Sequence, residues 1–254
     1  MGKEIIHHPD IRRNLLRMRA MSRGLRALCL YTGDLFNKAH KDPKYEGVIG
    51  LMTPICKAYC TDKGFEVAVD ALQAHGGYGY CTEYGIEQFV RDIKISTIYE
   101  GTNGIQAIDF VMRKILKDNG KAIGLLTQEM AASIEALDDS KFKLEKDLFN
   151  KVLSGAQGVM QQLTTYAQNK QHNLILQNCT DFLSYVSQMV VAWRLLESAA
   201  LANRKISGAS TEDKKFYESK ITDFRIYCSQ YLIHNLSMAK TMTDYSQDMT
   251  ALEI

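Results

Sequence analysis

Proline, the residue a helix interior tolerates least, stands at positions 9, 43 and 54 of this 254-residue chain and nowhere after that. So long a proline-free remainder favours long helices, because nothing in it removes a backbone donor or clashes with the preceding turn. Sustained period-two alternation with hairpin turns, the mark of strands, is absent. One β-branched stretch, the connector IKISTIY at 93–99, reads as extended. The expected class is all-α.

Pro9 suits a first turn, with Asp10 at the positive end of the dipole. A first helix is expected from there to about Ala39, with Ile11, Leu15, Met18, Leu25 and Leu28 as its apolar stripe and a break at Lys41-Asp42-Pro43. A second runs from about Tyr45 to Ala74, bent near Pro54, burying Phe65, Val69 and Leu72 and stopped by Gly76 and Gly77. A short helix near Tyr84 to Arg91, the connector, and a helix from about Asn103 to Leu116 follow. Asp118-Asn119-Gly120 reads as a domain boundary dividing 1–118 from 119–254. Beyond it a smaller helix near Ala122 to Leu137 precedes three long patterns. Leu148, Val152, Val159, Leu163 and Tyr166 mark the first. Phe182, Val186, Met189, Trp193, Leu196 and Ala200 mark the second. Tyr217, Ile221, Phe224, Cys228 and Tyr231 mark the third. Together they spell an up-and-down bundle with a frayed tail after Thr243.

A hydrophobic share of 46% supports a sizeable core, and 24% charged residues exclude a disordered composition. A net charge of +2 gives no global field to recruit nucleic acid or an anionic membrane. The cysteines at 29, 56, 60, 81, 179 and 228 form no CxxC pair, and zinc-ligand spacing is absent. They read as buried thiols in a reducing compartment. No apolar run reaches bilayer-spanning length, and no signal-peptide pattern opens the chain. Met1-Gly2 suggests myristoylation, but Ile6 stands where that signal wants Ser or Thr. The abrupt start on charged helical sequence reads as a fragment lacking its own N-terminus.

Chemistry gathers in Gln73 to Gln106, QAHGGYGYCTEYGIEQFVRDIKISTIYEGTNGIQ. Glu100 follows apolar Ile98 and Tyr99 and precedes Gly101, and a partly desolvated carboxylate is a stronger base. For an arbitrary glutamate in a helical protein, the plainer reading wins: a residue preceding the helix that starts near Asn103. HGGYGY alone is weak, since adjacent glycines after a helix are usually a C-cap. Absent side chains also let backbone N–H groups approach a diphosphate. The turn is no dinucleotide-fold fingerprint, because it closes a helix and follows no strand. Thr102 is placed as an N-cap. Arg91-Asp92 reads as a local ion pair, and His7, His8 and His75 as structural histidines. Arg12, Arg19, Arg23 and Arg26 fall near one stripe of the first helix. A solvated face is preferred there over a phosphate or nucleic-acid patch, because no aromatics interleave.

The spaced set is more specific than its pieces. Gln73, Gly76, Gly77 and Gly79, then Thr82-Glu83-Tyr84, Arg91-Asp92, Tyr99-Glu100-Gly101-Thr102 and Ile105-Gln106 together closely resemble the C-terminal domain of the acyl-CoA dehydrogenases. HPDIRR at 8–13, TPICKAYCTDKGFEVA at 53–68 and EGTNGIQAID at 100–109 look like the larger subfamily that includes methylthiopropionyl-CoA dehydrogenase. Its members carry an extra helical C-terminal region, which residues beyond about 120 resemble more weakly. The resemblance implies the C-terminal helical-bundle domain of that fold, incomplete, at 1–118. An accessory up-and-down helical bundle would follow at 119–254.

It also implies a flavin enzyme. Glu100 would be the general base that removes the α-proton of an acyl-CoA thioester, while the β-hydride goes to FAD and a trans-2-enoyl-CoA results. The developing enolate oxygen then needs hydrogen bonds. Gln73, Gly76 and Gly77 would hold the adenine-diphosphate part of FAD across a subunit interface. Thr102 and Asn103 would touch the cofactor, and Tyr99 and Gly101 would wall the substrate. No metal is expected. Implied partners are an acyl-CoA, an electron-transfer flavoprotein or similar acceptor, and further copies of the chain in a homo-oligomer. The expected setting is the cytoplasm or, in a eukaryote, the mitochondrial matrix, and nucleic acid is not an expected partner. Gly85 departs from the family pattern, standing where many relatives have proline, which reads as a minor loop change. The family's N-terminal helical domain, β-barrel domain and first C-terminal helix are not in the sequence. The chain would therefore be a C-terminal fragment of a protein roughly twice its length, with FAD held by that parent and the fragment alone inactive. Two other classes stay open: a non-catalytic or DNA-associated flavoprotein of the same family, and an oligomerisation scaffold.

Overall fold

Every regular element among the described residues, 4–253, is helical in this computed structural model, as the proline spacing dictates. Met1 and Gly2, weighed above for lipidation, lie outside the described residues. Helix α1 (Pro9–Lys41) begins on its proline, and α2 (Tyr45–Ala74) continues through Pro54. Then come α3 (Gly77–Tyr80), α4 (Ile86–Ile95) and α5 (Asn103–Ile108), the last passing into a π-helical stretch at Asp109–Leu116. The remaining helices are α6 (Lys121–Glu135), α7 (Asp139–Gln168), α8 (His172–Lys205), α9 (Thr211–Gln230) and α10 (Asn235–Thr243). Side-chain oxygens satisfy orphan N–H groups at four of these starts: Thr102 for α5, Asp118 for α6, Asp138 for α7 and Ser210 for α9.

Helix α8 is central: from Phe182 to Leu196 it is buried on nearly every side, with only Ser184 and Arg194 part-exposed. Phe182, Val186, Met189, Val190, Trp193 and Leu196 are buried along it, and α1, α5, α6, α7, α9 and α10 all pack on it. Gly24 lets α1 approach closely: a Cβ there would stand 2.5 Å from Val191 Cγ1. One continuous apolar core takes in residues on both sides of Asp118, from Ala20 to Met242. Short links at 169–171 and 206–210 leave α7, α8 and α9 in an up-and-down arrangement.

The structure corrects several expectations. The 93–99 connector is not extended: α4 runs through Ile95, and the Ser96 and Thr97 hydroxyls donate back to the carbonyls of Ile93 and Lys94. That local bonding outweighs β-branching. Val69 is exposed, while Phe65 and Leu72 are half-buried. Arg19 and Arg23 do not form a solvated face. They donate to the two oxygens of Asp223 on α9 at 2.7 and 2.6 Å, and the Asp223 side chain is 1% exposed. Arg17 pairs with Asp70 at 2.9 Å, whereas Arg12 and Arg26 are exposed. Among the described residues Arg91 and Asp92 show no ion pair, since adjacent residues on a helix do not face each other. Of the six free cysteines, Cys179 and Cys228 are buried, but Cys29 and Cys81 are exposed. The tail after Thr243 is not frayed: Gln177 Nε2 donates to Gln247 O at 2.7 Å and Asn178 Nδ2 to Ser246 Oγ at 2.9 Å. No helix among the described residues is long and apolar enough to cross a membrane.

Candidate active site

Between α4 and α5 the chain reverses in a few residues. Tyr99 N–H donates to Ile95 O and Asn103 N–H to Thr97 O, each at 3.1 Å. Between these bonds Glu100 has φ 53° and Gly101 φ 85°. Glycine takes that region freely, but a glutamate there gives up roughly 1–2 kcal/mol. Such a residue persists only where its surroundings overdetermine it, and stored strain of this kind collects at functional sites.

Asn103 does the overdetermining. Its Nδ2 donates to Asp62 Oδ1 at 2.7 Å, Thr61 Oγ1 at 2.9 Å and Ala58 O at 3.2 Å. Its Oδ1 accepts from Lys57 Nζ at 2.8 Å. An asparagine amide carries only two protons, so its donors are fully committed to α2. The Asn103 side chain pins the Glu100 turn to the middle of α2. Thr102 keeps an exposed position, its hydroxyl accepting from Ile105 N–H at 3.4 Å. Lys57, Thr61 and Asp62 escaped the sequence reading. On periodicity they are an ordinary half-polar stretch of helix, and nothing in it announces a partner beyond the next loop.

Gln73 is exposed in the last turn of α2, and Gly76 and Gly77 are exposed just after it. No atom lies within 4 Å of where a Cβ would stand on either glycine, so a bulky ligand could reach their backbone. This open backbone is not beside Glu100. Asn103 grips α2 at Thr61 and Asp62, and Gln73 lies further along the same helix by roughly 16 Å, at about 1.5 Å per residue. The expected site residues thus form two groups on one chain, Tyr99–Asn103 and Gln73–Gly77. Gly85 is a larger departure than a minor loop change. It precedes α4 at φ 69°, a backbone that proline, locked near −65°, cannot adopt.

Large apolar side chains are exposed around both groups, among charged ones such as Glu83, Arg91, Asp92 and Lys94. Tyr78, Tyr80, Tyr84, Phe89, Ile95, Ile98, Tyr99 and Ile105 are all exposed. Monomeric proteins rarely leave that much apolar surface uncovered without a use for it. Glu100 itself is exposed. The desolvation expected for its carboxylate is not supplied by the described residues and would have to come from whatever covers this face.

Comparison with known proteins points one way. Residues 1–116 match the family model described as acyl-CoA dehydrogenase, C-terminal domain. Residues 126–253 match the one described as acetyl-CoA dehydrogenase C-terminal like. The chain is 31% identical to the broad-specificity linear acyl-CoA dehydrogenase FadE5 of Mycobacterium tuberculosis, over 98% of this chain and 43% of that protein. It is 33% identical to 3-methylmercaptopropionyl-CoA dehydrogenase of Ruegeria pomeroyi, over 94% of this chain and 42% of that one. The chain therefore spans about two fifths of the length of these relatives. Among solved structures, Caenorhabditis elegans ACDH-11 in complex with C11-CoA superposes with a TM-score of 0.73 at 20% identity, covering 92% of this chain and 38% of that one. A Bacillus anthracis acyl-CoA dehydrogenase complexed with FAD gives a TM-score of 0.70 at 18% identity, covering 99% and 43%. At these identities the two structures speak to the fold.

Proposed function

The chain belongs to the acyl-CoA dehydrogenase family, and from that premise we propose that it is the C-terminal portion of an FAD-dependent enzyme that converts an acyl-CoA thioester to its trans-2-enoyl-CoA. The observation that carries the reading is Glu100, a carboxylate held at φ 53° on a turn anchored by Asn103 and flanked by exposed apolar side chains. The α-C–H beside a thioester is weakly acidic, so its base must be presented in a fixed direction and kept dry. Glu100 accepts that proton, and its own N–H donates to the developing enolate oxygen. Tyr99 and Gly101 wall the substrate. FAD, when bound, accepts the β-hydride. Thr102 meets the cofactor through its exposed hydroxyl, and Asn103 serves it by fixing the turn.

The open backbone at Gly76 and Gly77, with Gln73 beside it, fits the adenine-diphosphate part of FAD. Because these residues lie well along α2 from the Glu100 turn, we assign them to a cofactor shared with a second copy. The exposed apolar residues between Tyr78 and Ile105 favour such a homo-oligomer, and with it a cover for Glu100. Arg19 and Arg23 are committed to Asp223, which leaves little of the basic stripe for nucleic acid. The reading carries with it an electron-transfer flavoprotein or similar acceptor, and a cytoplasmic setting or, in a eukaryote, the mitochondrial matrix.

The test is to join this chain to the family's preceding domains, purify the protein with flavin and follow flavin bleaching by a panel of acyl-CoAs. Glu100→Gln is expected to keep the yellow cofactor and to slow its reduction by about 100-fold or more, the usual weight of a positioned base. Unimpaired bleaching by that variant would remove Glu100 from the mechanism.

A further inference from the structure

Three thiols gather between α1 and α2. Cys29 Sγ of α1 lies 3.9 Å from Cys60 Sγ of α2, and Cys56 Sγ, one turn before Cys60, lies 3.2 Å from the Thr32 hydroxyl of α1. Cys29 is exposed, and the other two are half-buried. The dehydrogenation proposed above uses none of them. Among the described residues no three Cys, His, Asp or Glu side chains are placed to hold a metal ion, so the cluster is not a cation site. Cys81 is a natural comparison: it too is exposed, but its Sγ lies 3.6 Å from Gly77 O rather than against a thiol.

We propose that Cys29 and Cys60 form a thiol–disulfide exchange site, at which a small organic disulfide such as oxidised glutathione converts the pair into a cross-link between α1 and α2. First, Cys29, whose thiol burial pushes up, gives up its proton and its sulfur attacks one sulfur of the reagent. A new S–S bond forms, the reagent's S–S bond breaks, and one thiolate leaves. Cys60, whose thiol is pushed well up by its hydrogen bond to Cys56 and by burial, gives up its proton as its sulfur attacks the Cys29 sulfur of this mixed disulfide and expels the second thiolate. The protons given up by Cys29 and Cys60 end on the two departing thiols, so the protein is oxidised by two electrons and the reagent reduced by two. Exchange starts at Cys29 because access governs the first attack and Cys29 is the exposed member. Closure brings the sulfurs from 3.9 Å to bonding distance, about 2.05 Å. Cys56 is the rival first nucleophile. Its thiol is drawn down to about 7 by hydrogen bonding to Cys60 first, then to Thr32 and Cys29, with burial opposing.

The site is tested by non-reducing peptide mapping, with mass spectrometry, of the full chain equilibrated with oxidised and reduced glutathione. The peptides carrying Cys29 and Cys60 are expected to be linked to each other, while Cys81 carries glutathione. Excess reduced glutathione should restore every free thiol. Cys56→Ser is expected to keep the Cys29–Cys60 link. Cys60→Ser should halt with glutathione on Cys29, and in Cys29→Ser the link should fall to background. The unaltered chain already decides the main point, whatever the variants do to folding. Cys29 stopping at the glutathione adduct there would overturn the proposal. So would loss of the link in a Cys56→Ser chain that retains its helical circular dichroism.

Discussion

At Glu100 the backbone and the side chain make opposite demands. The φ of 53° suits glycine, yet the position carries a carboxylate. Positive φ alone does not mark a site, since Asn119 and Lys170 share it at links between helices. What separates Glu100 is the neighbouring Asn103 network and the exposed apolar surroundings. If the turn is strained in solution, glycine should relieve it, less the entropy that glycine adds to the unfolded chain. Glu100→Gly is therefore expected to hold or raise stability, by up to about 1 kcal/mol, while abolishing turnover in the assembled enzyme. Glu100→Val, β-branched in a left-handed conformation, should lose more than about 1 kcal/mol. Urea midpoints of both variants decide the matter, and a Glu100→Gly chain less stable than its parent would show that the turn carries no such strain.

Among the elements, α1 and α9 show what a buried charge does to packing. Arg19 and Arg23 meet Asp223 from 204 and 200 residues earlier in the chain. Removing one partner of a buried pair costs about 3–5 kcal/mol. Both arginines are more than a third exposed, so solvent recovers part of that, and Asp223→Asn is expected to lose about 2–3 kcal/mol. Replacing the trio together, by Arg19→Met, Arg23→Met and Asp223→Leu, should recover most of the loss, because an apolar cluster leaves no unpaired charge. A urea midpoint unmoved by Asp223→Asn would mean that the pair does not hold α1 on α9. The same contact shows what was legible in the sequence. Pro9, Gly76 and the 118–120 turn set helix ends through local chemistry, and the structure keeps those ends. Apolar spacing likewise gave α8 its buried positions. Periodicity reports which face a residue occupies but not what meets that face, so the Arg19–Asp223–Arg23 contact stayed invisible. So did the grip of Asn103 on Lys57, Thr61 and Asp62. The residue types around Glu100 were legible as a motif, but their division into two groups follows from where Asn103 docks along α2, which only the fold makes plain.

Across the whole molecule the question is whether the chain unfolds as one unit. Tyr59 on α2 and Tyr227 on α9, on opposite sides of the 118–120 turn, share a hydroxyl–hydroxyl hydrogen bond of 2.8 Å in the core. Burial pushes both phenols well up, and does the same to Tyr31 on α1 and Tyr185 on α8. Tyr231 is raised to about 12, chiefly by burial and against the pull of Arg17. In an unfolded chain a tyrosine ionises near about 10. Below that pH both states keep these protons, and their contribution to stability is fully present. Above it the unfolded chain releases them while the folded chain holds on, so stability falls as pH rises from about 10 through 12. Since these tyrosines share one core, tyrosinate absorbance should rise and helical ellipticity fall together, in a single alkaline transition. Were 1–118 and 119–254 separate units, ellipticity would fall in two steps, with Tyr31 and Tyr59 ionising apart from Tyr185, Tyr227 and Tyr231. Tyr227→Phe sharpens the distinction by leaving the Tyr59 hydroxyl without its partner across the divide. In a single unit that change lowers the pH at which the entire helix signal is lost, whereas in two units it would leave the step belonging to 1–118 where it was.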